Sequence, residues 1–211
     1  MSGGGDLIPS GDDQAKAAQE IAKATQEALK TLQGVGGFLR EVFGTVPEDL
    51  VGLCGGDWLK ARRLENLARI FQKSKKRLEA RNAAHELPSP SLLVPLIIAA
   101  ADESRDELQD MWASLLAAAA DPTRAKAFRL AFIETAKKMD PLDAAVLKRA
   151  PTDGRFTDGR RNELAAALFS TRDEIDVSIE NLANLGLARR LNDMTVAVVP
   201  FGREFLRSVS D

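Results

Sequence analysis

Tyrosine is absent from the 211 residues, and cysteine and histidine occur once each, as Cys54 and His85. A lone cysteine excludes an intramolecular disulfide, and one cysteine with one histidine excludes a Cys/His zinc site. A reducing cytoplasm is the expected setting. Long apolar runs are missing too: the longest, residues 92–101, is far short of the about 20 residues that a spanning helix needs. The opening Met1-Ser2-Gly3-Gly4-Gly5-Asp6 has no basic stretch followed by an apolar run, and its second residue is not glycine. Neither a secretory signal nor N-myristoylation is therefore expected. Charge of one sign is also lacking. With 29 basic and 31 acidic residues the formal net charge is −2, so no global attraction to nucleic acid or anionic lipid arises.

Catalytic patterns are equally sparse. His85 lies in the loop-like Asn82-Ala83-Ala84-His85-Glu86-Leu87-Pro88, with no neighbouring Ser or Cys signature, and reads as a surface histidine. Gly34-Val35-Gly36-Gly37 lacks the preceding strand and the third glycine of a dinucleotide fingerprint, and no Walker-type lysine follows a glycine loop. Glu103, Asp106, Glu107 and Asp110 have helical spacing that suits a divalent cation, but without a histidine they read first as a solvated face. These absences predict a protein without catalysis, cofactor or metal.

What is present is a 45% hydrophobic fraction, ample for a core, arranged mostly at helical period. Residues 1–11 read as a flexible tail. Over 12–34, Ile21, Ala24, Ala28, Leu32 and Val35 form an apolar stripe that ends in Gly34, Gly36 and Gly37. The segment between Gly34 and Gly56 holds seven of the fifteen glycines among apolar residues and is poorly committed to one regular structure. Helices follow at 57–81, at 91–101 with a start or kink near Pro95, at 103–120 and at 123–139. Beyond Pro141 the pattern predicts helices at 141–149 and 160–169. A third helix opens at the capping box Thr171-Arg172-Asp173-Glu174 and closes at Gly186. A hairpin around Asn192-Asp193 and a terminal helix over 201–209 complete the pattern. The fold class is thus mainly α: a helical bundle over 12–140, then a small winged-helix-like module over 141–211 with one β-hairpin.

Two charge features bear on function. The helix at 57–81 places Arg62, Arg63, Arg69, Lys73, Lys76, Arg77 and Arg81 opposite its apolar face, and residues 60–81 hold nine basic and two acidic residues, a net of +7. Such a face is either solvated, paired with the acidic helix at 103–120, or a contact for a polyanion or an acidic partner. It carries no interleaved aromatics for base stacking. The helix over 172–185 has the opposite sign, with Arg172 against Asp173, Glu174, Asp176 and Glu180. A helix meant for the major groove brings positive charge to the phosphates, so DNA reading is disfavoured, although Arg189 and Arg190 of the hairpin are placed to touch a backbone.

Several stretches, in this order, resemble the abortive-infection alpha (Abi-alpha) family. They are the glycine-punctuated segment leading into Asp57-Trp58-Leu59-Lys60 with Arg63-Leu64-Glu65-Asn66-Leu67, Leu92-Leu93-Val94-Pro95-Leu96 after Pro90, and Glu107-Leu108-Gln109-Asp110-Met111-Trp112-Ala113-Ser114-Leu115-Leu116-Ala117. Met139-Asp140-Pro141-Leu142-Asp143-Ala144 and Asn181-Leu182-Ala183-Asn184-Leu185-Gly186-Leu187 follow. The resemblance covers about residues 34–207. It implies a bacterial phage-defence role in which an infected cell is sacrificed or arrested, and it brings no catalytic residues. The expected mode is contact with a protein partner or self-association. Segment 34–56 and the cationic helix after it offer a second mode, peripheral contact with the anionic inner membrane. The alternative is a winged-helix DNA-binding regulator.

Overall fold

The structure, a computed structural model, describes residues 11–44, 47–55, 59–82 and 84–210. Of the expected tail only Gly11 falls among them, and the Asp57-Trp58 pair lies outside them. Helix α1 (Gly11–Gln33) is followed by two short helices, α2 (Gly36–Phe43) and α3 (Pro47–Leu53). Then come α4 (Lys60–Ala80), α5 (Pro90–Ala101) and α6 (Asp106–Ala120). The poorly committed glycine-punctuated segment is thus a pair of short helices that buries Leu39, Val42, Phe43 and Leu50. The stripe of α1 is shorter than its sequence suggests. Ala28 and Leu32 are buried, whereas Ile21 is 37% exposed and Ala24 is exposed, because only the C-terminal part of α1 is covered.

The core is organised around α6. Leu108, Gln109 and every residue from Met111 to Ala120 are buried. The alanines at 113 and 117–120 let neighbouring backbones come close, and α4, α5, α7, α9 and α12 all touch this helix. Helices α4 and α6 run in the same sense, since Lys73 meets Asp106 and Arg77 meets Asp110. Glu103, expected on an exposed acidic face, is instead only 9% exposed. It precedes α6 and folds inward, where the Arg105 guanidinium donates to both its oxygens at 3.0 Å.

The single helix expected at 123–139 is two: α7 (Pro122–Ala125) and α8 (Leu130–Ala136). The Asp121 carboxylate accepts from the Thr123 backbone at 2.9 Å and its hydroxyl at 2.6 Å, closing one turn, and Arg129 then takes an extended conformation. The break turns the Phe132 ring into a cluster with Phe128, Phe201 and Phe205, at centroid distances of 5.4–5.7 Å.

The C-terminal segment runs α9 (Pro141–Lys148), β1 (Arg155–Phe156), α10 (Asp158–Ala167), α11 (Arg172–Asn184), β2 (Ala188–Asn192), β3 (Thr195–Val198) and α12 (Pro200–Val209). The hairpin pairs Ala188 with Val198 and Arg190 with Val196, and β1, absent from the sequence reading, adds antiparallel to β3 through Phe156 and Val196. The sheet order is β1-β3-β2. Phe156, Ile175, Leu182, Val196 and Phe205 join the same continuous core as α4 and α6.

Gly202 fixes how α12 meets the hairpin. A Cβ there would stand 2.0 Å from the Leu187 carbonyl oxygen and 2.9 Å from a Val198 methyl. The first neighbour is backbone and cannot swing aside. Gly202→Ala is therefore expected to lose about 3 kcal/mol of stability in urea unfolding, at the upper end of overpacking costs. A change below about 0.5 kcal/mol would contradict this packing.

Candidate functional site

The basic residues of α4 do not form one solvated stripe. Apolar packing of Leu64, Leu67, Ile70, Phe71 and Leu78 leaves only a narrow exposed ridge, on which Arg62, Arg69 and Lys76 stand two helical turns apart. Arg62 and Arg69 both pair with Glu65, and Lys76 has no ion pair among the described residues. The other four cations turn toward neighbours. The Arg63 guanidinium donates to Asp102 at 2.7 Å and to the Cys54 carbonyl at 3.1 Å. Lys73 donates to Asp106 at 2.6 Å, Arg77 to Asp110 at 3.1 Å, and Arg81 to the Ser210 carbonyl at 2.9 Å. Lys73, Lys76, Arg77, Ala80 and Arg81 together line a shallow groove of about 300 Å³.

The acidic face of α6 is thereby part of a charge ladder. Burial would raise the Asp110 carboxyl, but hydrogen bonds from Arg77 and Lys73 outweigh it and hold the group below its ordinary value of 3.8. Among the described residues no three His, Cys, Asp or Glu side chains are grouped as metal ligands would be. Cys54 is buried, and desolvation, opposed by the Arg63 charge, pushes its thiol up to about 11. His85 meets Glu41 at 3.2 Å.

The second surface is built on α11. Its capping box forms as the sequence predicts: the Thr171 backbone donates to Glu174 at 2.7 Å, which holds that carboxyl below its usual value, and the Glu174 backbone donates to the Thr171 hydroxyl at 3.3 Å. The buried side of α11 carries Ile175, Ile179 and Leu182. Its outer ridge exposes Asp173, Val177 and Glu180, with Val177 68% exposed. A cleft of about 690 Å³ lies on one side, lined by Asp140, Leu142 and Asp143 as well as the ridge, with Lys138 as its only cation. A second cleft, of about 370 Å³, separates the ridge from Arg190 and Val196 of the hairpin. Arg190 is tied to Glu180 at 2.8 Å, and Arg189 is exposed. Arg172 bridges Asp158 at 2.7 Å and Asp176 at 3.0 Å.

The residue that sequence reasoning passed over is Phe169. It is 99% exposed and has a φ of +52°. Hydrogen bonds from Ser170 N to Ala165 O at 3.0 Å and from Phe169 N to Ala166 O at 3.4 Å make it the left-handed residue that ends α10. The same pair of bonds ends α11 around Gly186, whose φ is +73°. Glycine is the usual occupant of this place, and a residue with a Cβ pays about 1 kcal/mol there. The capping box two residues on was the available signal, since it forces a turn at 168–170.

Two outcomes follow. Phe169→Gly is expected to leave stability unchanged or raise it by up to about 1 kcal/mol, while Gly186→Ala lowers it by about 1 kcal/mol in urea unfolding; the opposite order would contradict this turn assignment. Asp110 has a depressed folded pKa, so its contribution is fully present above the unfolded value of 3.8 and is lost as pH falls through the folded value. Asp110→Asn should therefore be less stable than wild type at neutral pH, by no more than about 1 kcal/mol for a pair this exposed. The gap should close only below pH 3.8. A gap that disappears by pH 6 would assign it to another group.

The order of these elements can be set against known proteins. The model of the family described as abortive infection alpha matches residues 60–199, from the first residue of α4 to the residue after β3. No curated protein and no solved structure matches the chain. The matched span includes the α4–α6 charge ladder, the enclosed helix α6 and the whole α11 ridge with its clefts. With well over half of its length so matched, the chain belongs to the abortive infection alpha family.

Proposed function

We propose that the protein acts in abortive infection of phage-infected bacteria by contact with protein, without catalysis, and that the ridge of α11 with its flanking clefts is the contact surface. The supporting observation is that this ridge is exposed, acidic and apolar at once. Val177 stands between Asp173 and Glu180, beside a cleft lined by several carboxylates and a single lysine. Folding alone gains nothing from an exposed valine there, whereas partner docking buries it. On this reading residues 141–211 form a winged-helix-like module whose usual DNA-facing helix has been given to protein recognition.

The two other modes draw less support. Membrane contact by segment 34–56 would need Leu39, Val42, Phe43 and Leu50, all at most 2% exposed, to leave the core. No helix among the described residues is long and apolar enough to cross a membrane. Asp173 and Glu180 give the exposed ridge of α11 the wrong sign for a phosphate backbone, and six of the seven cations on the basic face of 62–81 are engaged within the chain.

The test is plaquing efficiency and culture survival at low and high phage dose in a sensitive bacterium. Wild type is expected to protect cultures at low dose only, and Asp173→Lys/Glu180→Lys, folded by circular dichroism, is expected to protect at neither dose. Full protection by that variant would remove α11 from the mechanism. Loss of protection on Arg189→Glu alone, with DNA binding by wild type at low salt, would favour the regulator reading.

A further inference from the structure

We infer that the partner of the α11 ridge is a second copy of this chain, which docks the exposed ridge of its α4 antiparallel against α11 and receives Phe169 in its cation-lined groove. The inference rests on the protein-contact reading above and names the partner.

Register is the first argument. Asp173 and Glu180 are seven residues apart on α11, and Arg69 and Lys76 are seven residues apart on α4, so each pair spans about 10.5 Å along its helix. All four side chains are exposed, and in this contact Arg69 and Glu180 exchange their partners Glu65 and Arg190 for each other. Laid antiparallel, Lys76 faces Asp173 and Arg69 faces Glu180. Val177 then lies over the ridge between Arg69 and Lys76, where the aliphatic stems of those residues can cover it.

Phe169 is not on α11 itself but in the left-handed turn just before it, at the Asp173 end of the ridge. It stands four residues before Asp173, and the α4 position four residues beyond Lys76 is Ala80, an exposed small residue in the groove formed with Lys73, Lys76, Arg77 and Arg81. A groove of about 300 Å³ has room for one phenyl ring. The aliphatic stems of its cationic residues supply most of the groove's surface, a wall against which an aromatic ring packs. The most exposed large apolar residue of the described chain thus lies at the same end of the antiparallel pairing as the groove and its smallest residue.

Charge excludes the symmetric alternatives. Two α11 ridges brought together oppose carboxylates, and two α4 ridges oppose cations; only the mixed pairing is attractive. Such a contact is heterologous, using a different surface on each copy, so every docked molecule still offers one free α4 ridge and one free α11 ridge. The assembly therefore grows beyond a dimer, into a ring if the rotation closes and a filament if it does not.

Sedimentation velocity of the purified full chain tests this directly. Wild type is expected to increase in mass through the micromolar range and to lose association at 0.5 M salt. Phe169→Gly, which the turn geometry predicts to fold at least as well, should associate at least about tenfold more weakly. Arg69→Glu/Lys76→Glu and Asp173→Lys/Glu180→Lys should each be monomeric alone and assemble when mixed, because mixing restores one native and one reversed pairing. Wild type that stays monomeric up to about 100 µM overturns the proposal, as does association that Phe169→Gly leaves intact or a mixture that fails to assemble. If wild type is monomeric while Asp173→Lys/Glu180→Lys still loses phage protection, the partner is another protein and the contact reading itself survives.

Discussion

A stretch of helix without a polar face has to be covered on every side, and that constraint shapes this protein. From Met111 to Ala120 nothing in α6 is left to water. Covering it takes the apolar stripe of α4, the uncharged helix α5, and the C-terminal helices α9 and α12. The alanines contribute little area each but allow backbones to approach, so the packing depends on closeness rather than bulk. Trp112, 1% exposed, is the single aromatic side chain in this stretch. Because α9 and α12 are among the covering elements, the C-terminal segment is part of the same core and the position of α11 is set, through them, by α6.

The same constraint distributes the charges. Once α4 is committed to α6 along its length, its cations adjacent to the interface lie within reach of the carboxylates at the start of α6, and Lys73, Arg77, Asp106 and Asp110 form a ladder that fixes the relative register of the two helices. Partly exposed pairs of this kind contribute little stability individually. Their larger effect is to leave Arg62, Arg69 and Lys76 as a narrow line of charge facing solvent. A broad +7 surface, as the sequence alone presents it, would attract any polyanion; a line of three cations interrupted by Glu65 and flanked by the Lys75–Glu79 pair is better matched to another helix.

Elements with strong local signals were legible in the sequence. The stop after α1, Pro95 within α5 and the Thr171 box of α11 carry local chemistry that no distant contact overrides, and the hairpin forms where expected, with its turn one residue later, at Asp193-Met194. The remainder depends on the tertiary structure. Strand β1 has only Arg155 and Phe156, too few for any period, and exists because β3 offers it an edge. The split between α7 and α8 is decided by the Asp121 cap and by the aromatic cluster that Phe132 joins on α12. Glu103 shares the spacing of the exposed acids, and only its place before α6, beside Arg105, turns it inward. For the candidate surface, the seven cations are legible in the sequence as positions opposite the apolar face, but which of them face solvent depends on α6. Phe169 was hidden because an aromatic residue in a short turn predicts burial, and nothing local indicates its full exposure.

That exposure argues for recognition rather than scaffold. At Gly186 the chain closes α11 with the residue that the left-handed turn favours, so the sequence has access to the unstrained solution. At Phe169 it accepts a Cβ in the same conformation and then leaves the whole ring in water. Neither choice helps the isolated molecule: the strain is unfavourable, and the ring removes no apolar area on folding. An anchor residue in a protein contact has these two properties, since a rigid turn reduces the ordering cost of docking and an aromatic ring brings large area when it enters a pocket. The acidic ridge beside it sets the sign of the surface it can enter. A ring held by a strained turn, next to carboxylates two turns apart, selects a cationic groove on a helix of matching spacing, and α4 of this same chain presents one.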